Sequence, residues 1–321
     1  MTNQEVIQSF IDYITSERRY SPLTVRNYRH DAESFLQWGL STSHAGDFSL
    51  LDVRSEDLRE WIIFHSDERD QRGHRIRSAA SVNRAVASLR TMYKFLRVKG
   101  YIDRDLFASV RLPRTSRRLP AYVPESRMSD VVGRVFEDLE SADEHVARNA
   151  LLVLVTYSCG LRLAEVIGID VEDFEDDFRS LRVLGKGDKE RQLPIVERLR
   201  VEIIRYVERF FAEKICINQE KALFLSKQGG RILRGEVQRS VARLLRECGV
   251  QGKRSPHVLR HTFATHLLND GADLREIQEL LGHSSLRATQ VYTHSNIAQL
   301  QRIYEVAHPR SGGAASADVV Q

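Results

Sequence analysis

Residues 255–294 read SPHVLRHTFATHLLNDGADLREIQELLGHSSLRATQVYTH, and this stretch decides how the rest of the chain is interpreted. Apolar residues recur in it at helical spacing in two runs, which end at Gly271 and Gly282. The first run is Leu259, Phe263, Leu267 and Leu268, and the second is Leu274, Ile277, Leu280 and Leu281. The pattern predicts two packed helices.

Four side chains in the stretch stand apart from the apolar pattern, namely His257, Arg260, His283 and Tyr292. An arginine binds phosphate oxygens through a planar fork of donors, a histidine moves a proton near neutral pH, and a tyrosine can become a covalent nucleophile. Together they predict metal-free phosphoryl transfer. Each residue alone also has an ordinary explanation, as a helix-surface charge, a cap or a half-buried ring.

A metal site is the alternative for this stretch. His257 and His261 are four residues apart, a spacing with which a helix can bind zinc. No carboxylate follows His257 as it does in a zinc protease, and the neighbouring residues offer no third ligand. We therefore expect no metal and no cofactor.

The motif His257-x-x-Arg260, followed by Leu-Gly-His283 and by Tyr292 nine residues later, resembles the signature of the tyrosine recombinase (phage integrase) family, in particular its Xer branch. The resemblance implies a mainly α protein. Its N-terminal part would be a helical bundle, a SAM-like core-binding domain. Its catalytic domain would be mainly helical with a small antiparallel β-sheet. The family also has an upstream Arg in a Gly-Leu-Arg-x-x-Glu run and a Lys in a β-hairpin turn.

The run from Gly160 to Glu165 reads GLRLAE and matches the first of these motifs. An Arg-x-x-Glu pair by itself is usually a helix-surface ion pair worth a few tenths of a kcal/mol. The resemblance implies that Arg162 is catalytic. Glu165 is then the partner that orients a guanidinium.

Residues 180–184 and 191–195 alternate like strands around a glycine-bearing turn at residues 185–189. A lysine at such a tip is ordinarily a solvated charge. The resemblance implies that Lys186 enters the DNA minor groove and acts as general acid, with Lys189 as the weaker candidate.

Basic residues are concentrated in one part of a nearly neutral chain. The 48 Lys and Arg against 44 Asp and Glu leave a net charge of +4. Residues 69–118 contain 14 basic and 3 acidic residues, an excess of +11, so the remainder sums to −7. Such a stripe indicates a nucleic-acid face, although a merely solvated helix surface would look the same.

Apolar periodicity in residues 1–111 predicts a four- or five-helix bundle, with helices starting near Ser21-Pro22 and Ser55 and spanning residues 79–99. The pattern is similar to the core-binding domain of Xer recombinases, which implies that it grips one side of the duplex. The candidates for contact with the phosphate backbone are Arg72, Arg75, Arg77 and Arg84. Each of them could equally be an ordinary solvated charge.

Prolines and arginines mark residues 112–124 as a basic linker, because proline disfavours helix and favours extended backbone. The catalytic domain is predicted at 125–308 and a disordered tail at 309–321. Helices are predicted at 126–139, 147–158 and 201–211, with a strand at 222–226. A further helix at 231–248 resembles the one that docks in the major groove. It carries Arg234, Gln238, Arg239 and Arg243, and the sequence does not decide which of them reads a base.

The three cysteines, Cys159, Cys216 and Cys248, are odd in number and far apart, which argues against a disulfide framework. No stretch reaches the roughly 18 apolar residues of a membrane helix. We therefore expect a cytoplasmic, nucleoid-associated protein. Residues 296–307 form an amphipathic pattern, which packs on its own core or, as the resemblance implies, on a neighbouring protomer in a ring.

The resemblance as a whole implies a site-specific recombinase that works through a 3′-phosphotyrosyl intermediate and a Holliday junction. Its expected role is resolution of chromosome dimers at a dif-like site in double-stranded DNA. It would act as a homo- or hetero-tetramer, with a second Xer recombinase or an FtsK-like DNA translocase as possible partners. The alternatives are an integrase of a mobile element or plasmid, a DNA-binding architectural protein, and a metal-dependent nuclease.

Overall fold

The computed structural model describes residues 1–42, 47–113, 121–185, 189–210 and 221–282. The chain divides into two compact units, Met1–Arg118 and Leu119–Gln321, each with its own buried apolar core. Both units are mainly helical, so the predicted fold class is confirmed.

The first unit is a helical bundle. Its helices are α1 (Asn3–Asp12), α2 (Pro22–Thr42), α3 (Ser55–Asp67) and α4 (Ala79–Val98). Thr2 caps α1 in a capping box with Glu5, and Ser78 caps α4. Aromatic rings fill the centre, where the Phe35 ring lies 5.6 Å from the Trp61 ring in an edge-to-face arrangement.

A buried ion pair ties two helices of this bundle together. Asp31 of α2 is only 1% exposed, and both of its carboxylate oxygens accept hydrogen bonds from Arg84 of α4, at 2.7 and 2.8 Å. The Arg84 side chain remains 48% exposed. Arg84, a candidate for contact with the DNA backbone from the sequence, therefore also compensates the buried charge of Asp31.

The second unit combines helices with a small sheet. Its helices are α5 (Glu125–Leu139), α6 (Glu144–Ser158), α7 (Leu163–Gly168), α8 (Glu197–Phe210), α9 (Arg234–Glu247), α10 (Pro256–Asn269) and α11 (Leu274–Leu280). Its strands are β1 (Phe174–Glu175), β2 (Ser180–Leu184) and β3 (Glu190–Pro194), antiparallel in the order β1-β2-β3. The very apolar α6 lies at the centre and packs against α5, α8, α9 and α10. The small antiparallel sheet is thus confirmed.

One strand predicted in this unit does not form. The strand predicted at 222–226 is absent from the described residues and is replaced by isolated bridges, Asp170 with Ala222 and Leu225 with Arg231. The segment forms single hydrogen bonds to two neighbours, since Leu223 N–H donates to Ile169 O and Phe224 O accepts from Ile232 N–H.

Leu268 and Leu274 belong to the two apolar runs at helical spacing, but they do not pack inward: they are 49% and 57% exposed. Leu268 lies about 100° around α10 from the buried Leu267, which takes it off the apolar face. Leu274 is the first residue of α11, and because helical side chains tilt toward the N-terminus it extends past the packed face.

Several predicted features lie outside the described residues. They are Lys186, His283, Tyr292, Cys216, the helix at 296–307 and the tail at 309–321. Within the described ranges, no helix has the length and apolarity needed to cross a bilayer.

Replacing Arg84 with Met should destabilise the first unit by about 2 kcal/mol, because the Asp31 carboxylate would be left buried without its counter-ion. Arg29→Met is the matched control, since Arg29 pairs with Glu33 on the surface and the change should cost less than about 0.5 kcal/mol. Denaturant unfolding measures both. Equal unfolding free energies for the two variants would contradict the structural role of Arg84.

Candidate active site

The site begins at the junction of α6 and α7. Gly160 adopts a left-handed conformation with φ +57°, which reverses the chain after α6 and brings Arg162 to the start of α7. Glu165, one turn later, accepts the backbone N–H of Arg162 at 2.8 Å and its side-chain Nη1–H at 2.7 Å. The carboxylate therefore fixes both the backbone and the guanidinium of Arg162.

Arg260 reaches the same place from α10. It is buried, and its two terminal nitrogens donate to Gly160 O and Leu281 O, each at 2.6 Å. Its Nη1 also lies 3.7 Å from Glu165 Oε2. The structure thus brings the predicted Arg260 together with Arg162 and Glu165, which precede it by 98 and 95 residues in the sequence.

The orientation of α10 is fixed by buried hydrogen bonds of His266, nearly two turns beyond Arg260. His266 Nε2 lies 2.9 Å from Val123 O and its Nδ1 lies 3.0 Å from Tyr157 Oη. Burial lowers the pKa of His266, so the ring is neutral at pH 7. A carbonyl can only accept, so Nε2 carries the proton and Nδ1 accepts from the Tyr157 hydroxyl. Thr262 adds a further tie, because its Oγ1 accepts the Val123 N–H at 2.9 Å.

Arg191 is a member of the site that the sequence analysis missed. It lies on β3, its side chain is 5% exposed, and it donates to both oxygens of Glu165, at 3.0 and 2.8 Å. The alternation of β3 contained the signal, since Arg191 shares the buried face of the strand with Leu193. An arginine on the apolar face of a strand indicates that a buried carboxylate or another acceptor lies opposite it.

Glu165 is consequently shared by three guanidiniums. Burial alone would raise its pKa, but hydrogen bonds from Arg191 and Arg162 outweigh this and lower the pKa to about 2. Burial lowers the pKa of Arg260 to about 10, and the nearby Arg162 acts in the same direction. All four groups are therefore ionised at pH 7, and three positive charges against one negative charge leave the cluster at +2.

His257 lies on α10 three residues before Arg260, in the first turn of the helix, and it is exposed. Residues 186–188 and those from 283 onward are not described, but the residues that precede them border the cluster. Gly282 O lies 3.4 Å from Arg162 Nη2, and a Cβ built on Gly185 would lie 4.0 Å from Glu165 Oε1.

The residues predicted to contact DNA are mostly exposed. Arg234, Gln238, Arg239 and Arg243 are all exposed on α9. Arg239 and Arg243 line a groove shared with Asn149 and Glu247, and Arg243 pairs with Glu247 at 3.1 Å. In the first unit Arg72 and Arg75 are exposed, and Arg77 lies 3.5 Å from Glu68. Their contact with DNA stays a prediction.

Comparisons with known proteins match both units. A model of the phage integrase family matches residues 128–299, and one of the phage integrase N-terminal SAM-like domain matches residues 7–100. Tyrosine recombinase XerC of Agrobacterium fabrum is 34% identical over 309 residues, covering 95% of this chain and 94% of that protein. Tyrosine recombinase XerD of Mycobacterium leprae is 31% identical over 312 residues, covering 96% and 98%.

The fold is also similar to a solved structure. It is the crystal structure of XerH site-specific recombinase bound to palindromic difH substrate, a post-cleavage complex, with a TM-score of 0.66 and 21% identity. The match covers 94% of this chain and 84% of that chain. At this identity the similarity concerns the fold alone.

Replacing Glu165 with Gln should make the stability of the protein less dependent on acid pH. The folded pKa of about 2 lies below the ordinary value of 4.5, so the ionised carboxylate contributes stability above about pH 4.5 that is lost as pH falls toward 2. The wild type should exceed the variant by about 3 kcal/mol at pH 7, with the difference vanishing near pH 2. Urea unfolding across pH measures this.

The control for Glu165→Gln is Glu172→Gln, because Glu172 forms an exposed ion pair with Lys221. This variant should unfold like the wild type at every pH. A constant gap between wild type and Glu165→Gln from pH 7 to pH 2 would contradict the depressed pKa.

Replacing Gly160 with Ala should destabilise the second unit by about 2–4 kcal/mol, because an added Cβ would lie 2.5 Å from the Phe263 ring and the φ is left-handed. Gly249→Ala is the control: its φ is +71°, but a Cβ there meets nothing within 4 Å. It should lose only about 1 kcal/mol, the cost of the left-handed backbone. Thermal unfolding that ranks the two variants equally would contradict the close packing of Gly160.

Proposed function

The chain belongs to the phage integrase family of tyrosine recombinases, enzymes that cleave and rejoin DNA strands, and on that premise we propose that it resolves chromosome dimers at a dif-like site. One observation supports its chemistry most directly. Arg162 and Arg260 share the buried Glu165 carboxylate, which presents two oriented guanidiniums in a cluster of net positive charge. This suits an enzyme that must stabilise a phosphodiester in its pentavalent state.

In the proposed cleavage step the Tyr292 hydroxyl attacks the scissile phosphorus. The new bond joins the tyrosine oxygen to phosphorus, the bond from phosphorus to the 5′-oxygen breaks, and a 3′-phosphotyrosyl link remains. Lys186 supplies the proton to the leaving 5′-oxygen. His257 assists removal of the phenol proton, which is needed because a free tyrosine has a pKa near 10.

Arg162 and Arg260 bind the non-bridging phosphate oxygens, and His283 donates a hydrogen bond to the same phosphate. Each such donor is worth roughly 3 kcal/mol when it meets the developing charge in a site from which water is excluded. Glu165 carries one negative charge against three guanidiniums, so it orients Arg162 and Arg260 while the cluster keeps a net charge of +2.

Strand exchange follows from the stored bond energy. The 5′-hydroxyl of a partner duplex attacks the phosphotyrosine, the tyrosine leaves, and the junction formed is a Holliday junction. No nucleotide hydrolysis is required, because one phosphate ester is exchanged for another. The proposal includes a tetramer on double-stranded DNA, with a second Xer recombinase and an FtsK-like translocase as candidate partners, and a cytoplasmic, nucleoid-associated location.

DNA is proposed to bind through the basic residues of both units. In the first unit these are Arg72, Arg75, Arg77 and the exposed part of Arg84, and in the second they are Arg234, Gln238, Arg239 and Arg243. Arginine contacts to phosphate give affinity that falls with salt concentration but carry little sequence information. The proposed domain arrangement is a core-binding domain at 1–111, a basic linker at 112–124 and a catalytic domain at 125–308.

The catalytic assignment predicts a covalent complex that depends on Tyr292 and on Arg162. Wild type mixed with nicked dif-like duplex in EDTA should form a denaturant-resistant protein–DNA band, since loss of a short fragment makes cleavage irreversible. Tyr292→Phe should form none. Arg162→Ala should bind DNA within about threefold of wild type and cleave at least about 100-fold more slowly, because it removes a donor to the transition state.

Arg205→Ala controls for loss of a positive charge, because Arg205 is half-exposed on α8 and pairs with Glu140 and Glu202. It should cleave like wild type. A covalent band from Tyr292→Phe would disprove the nucleophile, and DNA cleavage by wild type that forms no covalent band and is abolished by EDTA would favour a metal-dependent nuclease instead. Weak DNA binding by Arg162→Ala would count against its catalytic role.

The chromosomal role is separable from the chemistry. Protein-linked DNA should be captured under denaturing conditions from cells that produce the enzyme, and sequenced. The expected result is one chromosomal site carrying two inverted half-sites, since a two-fold arrangement of protomers matches a palindromic target. Recovery of the ends of a plasmid or mobile element would replace the proposed role with that of an integrase of such an element.

A further inference from the structure

Arg191 has no part in the chemistry proposed above, yet it is one of the most buried charged residues among those described. Its side chain is 5% exposed in β3, a strand of five residues at the edge of the small sheet. Burying a guanidinium costs several kcal/mol unless good hydrogen bonds compensate it. The compensation is the two parallel hydrogen bonds to Glu165, and the buried Nε has no acceptor among the described residues.

The Arg191 pair determines how Glu165 is oriented. Arg191 Nη1 and Nη2 each take one carboxylate oxygen, which fixes the plane and rotation of the carboxylate. Oε1 also accepts a second hydrogen bond, from Arg162 Nη1, and Oε2 accepts a second one, from the Arg162 backbone N–H. Arg260 Nη1 lies 3.7 Å from the same Oε2. Rotation of the carboxylate would therefore displace both arginines.

Arg191 also lies against two glycines that lead into the rest of the site. A Cβ on Gly282 would be 3.3 Å from Arg191 Nη1 and 3.5 Å from its Cδ. A Cβ on Gly185 would be 3.6 Å from the same Nη1. Gly185 immediately precedes Lys186, and Gly282 immediately precedes His283. The Arg191 side chain thus occupies the space beside two glycines, each of which immediately precedes a further predicted catalytic residue.

We propose that Arg191 is the positioning residue of the active site, which holds the Glu165 carboxylate in the orientation that aligns Arg162 and Arg260 and supports the backbone at Gly185 and Gly282. It acts through these groups and does not touch the phosphate, because its guanidinium is enclosed by Glu165 and the two glycines. This assignment rests on the proposed cleavage chemistry.

The test compares Arg191→Met, which retains the apolar stem but not the charge, with wild type. The matched control is Arg182→Met on the adjacent strand β2, where the arginine is 46% exposed and lies 3.5 Å from Asp173. Single-turnover formation of the covalent complex is measured at saturating DNA, together with DNA affinity. Arg191→Met should cleave about 100-fold more slowly with affinity within about threefold, because small displacements of catalytic groups cost rate before binding. Arg182→Met should match wild type in both.

Arg191→Lys separates positioning from folding. It keeps the charge but supplies a single ammonium in place of a two-pronged fork, so it should fold and still cleave about 10-fold more slowly. Cleavage by folded Arg191→Lys at the wild-type rate would show that Arg191 serves stability alone. Cleavage by Arg191→Met at the wild-type rate would overturn the assignment altogether.

A second measurement does not depend on cleavage. The groups that face Glu165 are Arg191 from β3, Arg162 from α7 and Arg260 from α10. In protein with ¹³C-labelled glutamate, the Glu165 carboxyl signal, identified by its loss in Glu165→Gln, should titrate at higher pH in Arg191→Met than in wild type. An unchanged titration would overturn the assignment.

The outcomes distinguish this inference from the proposed function. Wild type and variants are compared on whichever nicked site the wild type cleaves fastest. If that site is not dif-like, only the chromosomal role fails. If Arg191→Met matches wild type on it, only the positioning role fails.

Discussion

The site depends on one carboxylate that is shared by three guanidiniums. Arg162, Arg191 and Arg260 come from a helix start, a strand and a second helix, and each lies within 4 Å of a Glu165 oxygen. Like charges at such short range repel, and the repulsion is strongest where water is excluded. The buried Glu165 makes the arrangement possible because its negative charge and its fixed lone pairs give each arginine a defined place.

The surrounding fold supplies rigid supports for this carboxylate. The central helix α6 ends in the left-handed Gly160, whose missing side chain admits the Phe263 ring and whose carbonyl accepts from Arg260. The neutral His266 anchors α10 between Tyr157 and Val123. These contacts are packed and hydrogen-bonded. A close-packed core leaves the groups that it supports little freedom to move. Arg260 is thereby held on a helix and Arg162 at the start of one.

The cluster retains two positive charges that no described residue neutralises within it. A stable fold does not need this excess, and burial makes it costly, as the lowered pKa of Arg260 indicates. Natural proteins keep such conflicts at functional sites, where a ligand resolves them. A phosphodiester carries the negative charge and the oxygen atoms that two oriented guanidiniums can bind, so the excess charge agrees with the role proposed for Arg162 and Arg260.

The sequence by itself determined the fold class, the described helices and the two hairpin strands, and its resemblance to the tyrosine recombinase family indicated Arg162, Glu165 and Arg260 as site residues. These follow from local periodicity and from short motifs with a specific chemistry, which are properties of neighbouring residues. Only the tertiary structure decided that Arg191 belongs with them, that Arg84 compensates the buried Asp31, and that Leu268 and Leu274 face outward. The physical reason is that burial and pairing of a charge depend on elements distant in the chain. The alternation of a strand tells which face a residue occupies but not what lies opposite it.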